Sequence, residues 1–144
     1  MGNFFCVGLT LLATSVSAAA GASPMTVTLT FDDGVKGHLL YAAPMLEKHG
    51  WRGTFNIVTD WIGKNDRYLT WDDVRELVRR GHEIASHTKT HPFLRDWYAW
   101  GRTNDLVREF AGASDVLKRE VGVAPRYLCH PYVHVSAGID ALIR

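Results

Sequence analysis

Two short segments hold the residues best suited to chemistry. Thr30-Phe31-Asp32-Asp33-Gly34 closes one apolar run, and His87-Thr88-Lys89-Thr90-His91 follows another. Strand ends are where α/β folds gather active-site groups. One carboxylate with two imidazoles holds a catalytic metal with positions left open, and the second carboxylate is then free to act as a base. Adjacent strand residues point to opposite sides, so Asp32 and Asp33 can take different tasks. His87 and His91, four apart, share one face if the segment is a helical turn. The metalloprotease pattern HExxH is absent, because Thr88 stands where its glutamate would. Each segment also has a bland reading: an Asx turn at Asp-Gly, and a surface helix start with two solvated histidines.

The elements that must position these groups follow from periodicity. Met25–Phe31 alternates β-branched and apolar residues and reads as a strand. His38–His49 has helical spacing, with Gly50 as its stop and Pro44 as a kink or a late start. Gly53–Thr59 is a second strand. Thr70 caps an acidic first turn and a helix through Val78, ended by Gly81. His82–Ser86 is a third strand, Asn104–Val121 a long amphipathic helix, and Pro125–His130 a fourth strand. Strands alternating with helices predict a parallel sheet with crossover helices. A closed eight-stranded barrel needs roughly 200 residues or more. The expectation is therefore a small open sheet or the front part of a larger barrel.

The chain has 144 residues, enough for one domain. A net charge of +1 offers no electrostatic footprint for nucleic acid or an anionic membrane. No charged side chain precedes Asp32. Phe4–Ala13 is apolar, and Val16-Ser17-Ala18 or Ala18-Ala19-Ala20 fits a small-x-small cleavage site. Residues 1–20 thus read as a secretory signal peptide, with an uncleaved anchor as the alternative. The expected product is secreted, periplasmic or extracellular, with no membrane span after cleavage and a domain over 25–144. Cys6 falls in the signal and Cys129 is left alone, so no internal disulfide staples the domain.

The ordered pair TFDDG and HTxxH resembles the NodB-type polysaccharide deacetylases, carbohydrate esterase family 4. The likeness extends through Ala43–Gly50, Gly53–Val58, Leu69–Val74 and Gly81–His87, and covers about Thr26 to Tyr132. It implies an α/β fold, an incomplete (β/α) barrel truncated on its C-terminal side. It implies a divalent metal, zinc or else cobalt, on Asp33, His87 and His91, with Asp32 as the general base toward the attacking water. His130-Pro131-Tyr132 matches part of the third motif, which implies an oxyanion site at the Tyr132 backbone N–H and substrate contacts at Pro131 and Tyr132. The implied activity is removal of N- or O-linked acetyl groups from an acetylated polysaccharide or oligosaccharide.

The pattern is also broken. Cys129 stands where the family usually has the arginine that holds the base. Arg126, further back, is the candidate to orient Asp32 instead. Val133 replaces a common glycine, and the later motifs, including the general-acid histidine, are absent, leaving His130 or His134 as substitutes. Trp97, with Tyr98 and Trp100, is a candidate sugar-stacking wall or else local packing. The alternative readings are a catalytically weak or inactive relative that binds metal or glycan, a gene fragment, or an amidohydrolase acting on a non-sugar amide.

Overall fold

The computed structural model describes residues 26–122, 124–133 and 136–143. The expected signal peptide, Met25 and His134 lie outside them. Three parallel strands, β1 (Thr30–Phe31), β2 (Thr54–Ile57) and β3 (Glu83–Ser86), lie in the order β1-β2-β3. The crossovers carry α1 (Ala43–Lys48) and α2 (Trp71–Arg79). After β3 come α3 (Leu94–Ala99), α4 (Thr103–Val121) and α5 (Ala137–Asp140). This is the α/β architecture of an incomplete barrel: parallel strands in sequential order, each pair joined by a helix.

Period-2 alternation divides the sheet. Phe55, Ile57 and Ile84 point to the helices and pack with Ala43, Val74, Leu77 and Leu117 in one buried cluster. Thr30, Thr54, Asn56 and Glu83 line the other face, together with Leu128 and Cys129, around an open cavity of about 480 Å³. Helix α4 joins the first cluster through Leu117. Through Leu106 and Phe110 it joins a second cluster with Leu94 and Ile139.

Several elements differ from the sequence expectation. β1 is two residues long, because Trp51 bonds back to Leu46 O in α1. Thr54 N–H to Leu29 O, at 3.0 Å, is the last bond upstream along this pair. The helix from His38 begins as a π turn, His38–Ala42, closed by Ala43 N–H to His38 O, and becomes α1 at Ala43. Pro44 has no N–H to give the preceding turn, which explains the late start. Thr70 caps α2 in a reciprocal capping box with Asp73.

The expected fourth strand shrinks to a parallel bridge between Ser86 and Leu128. Its bonds are Ser86 N–H to Tyr127 O at 3.0 Å and Cys129 N–H to Ser86 O at 2.8 Å. β3 ends there, so the ladder has nothing further to pair with. The aromatic stretch after His91, for which the sequence suggested no element, holds the short helix α3.

Candidate metal centre

The C-terminal end of β1 turns through two left-handed residues, Asp33 (φ 73°) and Gly34 (φ 69°). Leu69 N–H to Gly34 O, at 2.8 Å, pins the turn. This brings Asp33 Oδ1 to 3.6 Å from the Nε2 atoms of both His87 and His91. Oδ1 is buried and has no hydrogen-bond partner among the described residues. A buried carboxylate oxygen without a donor is costly. A cation held between it and the two nitrogens removes that cost. One ligand atom from each residue lies within 4.8 Å of the others.

The histidines are not on a helical turn. Residues 87–93 form an irregular loop with Thr88 at φ 67° and His91 at φ 63°. A fully buried, β-branched residue in that region is strained, as is common where side chains are aimed for function. The loop is held from several sides. Thr59 and Asp60 N–H groups bond the carbonyls of Thr88 and Lys89, at 3.3 and 3.0 Å. His91 N–H donates to Thr88 Oγ1 at 3.1 Å. From α4, Glu109, only 6% exposed, accepts from Lys89 N–H (2.9 Å), Thr90 N–H (2.7 Å) and the Thr90 hydroxyl (2.9 Å).

Protonation also suits ligation. His87 Nδ1 lies 2.8 Å from Cys129 O. A carbonyl only accepts, so Nδ1 carries the proton and Nε2 turns its lone pair toward Asp33. Burial, and then the neighbouring His87, hold His91 below the ordinary imidazole value, while the Asp33 charge pulls the other way. The donor set is therefore one carboxylate and two imidazoles, which suits zinc and similar divalent ions.

Asp32 stands apart from this set and is exposed. Its Oδ1 accepts from the Asn56 amide at 2.6 Å and from the Cys129 thiol at 3.9 Å. Burial, and then the Asp32 charge, push the Cys129 thiol up to about 11, so it remains a donor. Asp32, His87 and Cys129 form a second group of adjacent ligand atoms. It competes for His87, needs the thiol to ionise, and has no orphaned oxygen to satisfy.

The remaining sequence candidates divide. Tyr132, at φ 60°, sets its ring edge-on to His91 with centroids 4.6 Å apart and flanks the Asp-His-His cluster. Pro131 is fully buried and packs rather than facing a substrate. Arg126 does not reach Asp32: it is exposed and pairs with Glu83 at 2.8 Å, on the same sheet face but nearer the strand starts. Trp97 packs against the second cluster, and the Arg102 guanidinium covers its ring at 3.8 Å, so it is no stacking wall. His130 Nε2 lies 3.8 Å from Asp140 Oδ1. Asn56 and Glu109 were not expected at the site. The signals for them were a polar side chain between two apolar ones on β2 and an acidic residue on the otherwise apolar stripe of α4.

A parallel sheet that ends in an Asp-His-His cluster beside a free carboxylate defines a candidate centre for metal-assisted hydrolysis. The chain belongs to the polysaccharide deacetylase family, whose model it matches over residues 20–144. It is 27% identical over 115 residues to a chitin deacetylase of Colletotrichum lindemuthianum, covering 80% of this chain and 45% of that protein. It is 30% identical over 115 residues to a chitooligosaccharide deacetylase of Sinorhizobium fredii, covering 78% and 49%. Among solved structures it resembles a Streptococcus pyogenes deacetylase in complex with acetate, with a TM-score of 0.73 and 21% identity over 81% of this chain and 50% of that one. It also resembles the esterase domain of a multidomain xylanase from the hindgut metagenome of Trinervitermes trinervoides, with a TM-score of 0.66 and 29% identity over 81% and 53%. The chain spans about half the length of each of these four proteins.

Proposed function

We propose that this chain carries the metal-binding part of a deacetylase that removes N- or O-linked acetyl groups from a carbohydrate polymer or oligosaccharide. The observation that carries the reading is the buried, unbonded Asp33 Oδ1, equidistant from the two histidine nitrogens. Asp33, His87 and His91 would hold a divalent ion, zinc in first place, and Asp32 would not ligate it. Such an ion supplies Lewis acidity toward the acetyl carbonyl and acidifies water.

The remaining work falls to the chain. Asn56 and Cys129 occupy Asp32 Oδ1, which leaves Oδ2 to take a proton from the attacking water. In this reading the Tyr132 backbone N–H would face the developing oxyanion, a role supported by the Tyr132 ring lying edge-on to His91. Residues 1–20 act as the export signal in this reading, and no described helix is long and apolar enough to cross a membrane.

The test is zinc titration of the purified chain, followed by acetate release from acetylated chito-oligosaccharides. Asp32→Asn should keep zinc and lose acetate release. Asp33→Asn or His87→Ala should lose both. A wild-type chain that binds neither zinc nor cobalt overturns the site. A second reading, metal or glycan binding without turnover, is favoured by Cys129 in place of the arginine and by Arg126 turned toward Glu83. Zinc binding without acetate release from any acetylated glycan selects it.

A further inference from the structure

We propose that Phe93 is a sugar-stacking residue, the outer face of an aromatic platform that receives the sugar next to the one being deacetylated. The proposal rests on the glycan-directed reading above. Phe93 follows His91 by two residues and precedes α3. Its ring lies flat on Tyr132, with centroids 3.9 Å apart and planes within 4°. Tyr132 in turn meets His91 edge-on at 4.6 Å, and the other side of His91 is closed by Trp61 at 5.1 Å. The rings therefore run as a stack outward from a metal-ligand candidate, with Phe93 at its open end.

Phe93 is 52% exposed and Tyr132 44%. A single exposed aromatic needs no explanation, but a face-to-face stacked pair built outward from a candidate metal centre is a preformed apolar surface. The pair is also rigid. Tyr132 is held in a left-handed backbone conformation and fixed between two rings, so little side-chain freedom is lost when a ligand arrives. The apolar C–H face of a pyranose matches a flat aromatic. Phe93 stands one ring layer beyond Tyr132, on the side of that ring away from His91, which suits a neighbouring sugar rather than the acetyl-bearing one. Trp97, the aromatic favoured by sequence proximity, is spent on Arg102 and the core.

The experiment is calorimetric binding of chitobiose and chitotetraose to the zinc-loaded full chain, with acetate release measured alongside. Phe93→Ala should weaken chitotetraose binding roughly three- to tenfold and raise KM with a smaller change in kcat. Phe93→Trp should restore the affinity, which a merely structural role for the phenyl ring would not produce. The dependence on Phe93 should be larger for the tetramer than for the dimer. Phe93→Ala that binds zinc and chitotetraose as wild type does overturns the platform alone. A zinc-loaded wild-type chain that neither binds nor deacetylates any glycan overturns the platform and the functional reading together.

Discussion

The amide of Asn56 donates to Asp32 Oδ1 at 2.6 Å, so the carboxylate expected to act as base is oriented by the neighbouring strand and not by Arg126. Asn56 is itself buried, on the sheet face that carries no helix. Asn56→Ala should lower kcat for acetate release by about 10- to 100-fold, the usual scale for losing a group that orients a reacting side chain. Zinc affinity should change less than about twofold, because Asn56 touches none of the three ligands. Parallel losses of both would mean that Asn56 supports the strand ends and not the base.

Cys129 supplies a second, weaker donor to the same oxygen, where the family resemblance calls for an arginine. The thiol is neutral, since burial and the Asp32 charge raise it to about 11. It also lines the open cavity of about 480 Å³ beside Thr54 and Asn56, which has room for a longer side chain. Cys129→Arg should therefore place a fixed cation against Asp32 and raise kcat by about tenfold, charge-assisted bonds being roughly twice as strong as neutral ones. Unchanged or lower turnover in a folded, zinc-binding variant would show that the thiol is not a deficient substitute for the arginine.

Glu109 reaches from α4 to the histidine loop and accepts three hydrogen bonds there. Glu109→Ala leaves the part-buried backbone N–H groups of Lys89 and Thr90 without their acceptor, at about 1 kcal/mol each. The loop then loses the anchor that offsets the left-handed Thr88 and His91. Thermal unfolding of the metal-free chain should shift down by several degrees, and zinc affinity should fall about 10- to 100-fold. Glu109→Gln, which keeps one acceptor oxygen, should fall between the two. A metal affinity that does not follow this order would separate the loop anchor from the site.

The candidate cluster was legible in the sequence because each half is a local string: a strand end with Asp-Asp-Gly, and two histidines just past an apolar run. The loop geometry was not legible. Spacing of four suggests a helical turn, but Pro92 disfavours helical backbone at His91, and Glu109 rewards an extended, strained path. The supports of the site come from distant chain positions: Asn56 from β2, Cys129 from the segment after α4, and Glu109 from α4 itself. Periodicity places such residues on a face but does not say which loop that face will meet. Tyr132 was singled out through its motif. Phe93 was not, because its contact with Tyr132 joins distant parts of the chain. The sheet was legible in order and direction, and its strands came out short where partners diverge, as at Trp51.

Acid stability should reveal one ion-pair cluster far from the site. Glu47 of α1 accepts from Arg80 Nε and Nη2, at 2.7 and 2.8 Å, and from His82 Nε2 at 2.9 Å. Gly53 N–H donates to His82 Nδ1 at 3.2 Å, so Nε2 is the protonated nitrogen and the imidazole donates to the carboxylate. The cluster thus ties α1 to the turn between α2 and β3. The Arg80 bond is the main cause that lowers Glu47 from 4.5 to about 2, against the opposing effect of burial.

A depressed carboxylate stabilises the fold above its unfolded value and loses that contribution as pH falls through its folded value. The contribution should be complete above pH 4.5 and decline from there toward about pH 2. Urea unfolding of wild type and Glu47→Gln at pH 7, 4.5, 3 and 2.5 measures it. Wild type should be the more stable of the two at pH 7 and pH 4.5, and the gap should close as the pH approaches 2. A gap that stays constant down to pH 2.5 would show that the charge of Glu47 adds nothing to stability.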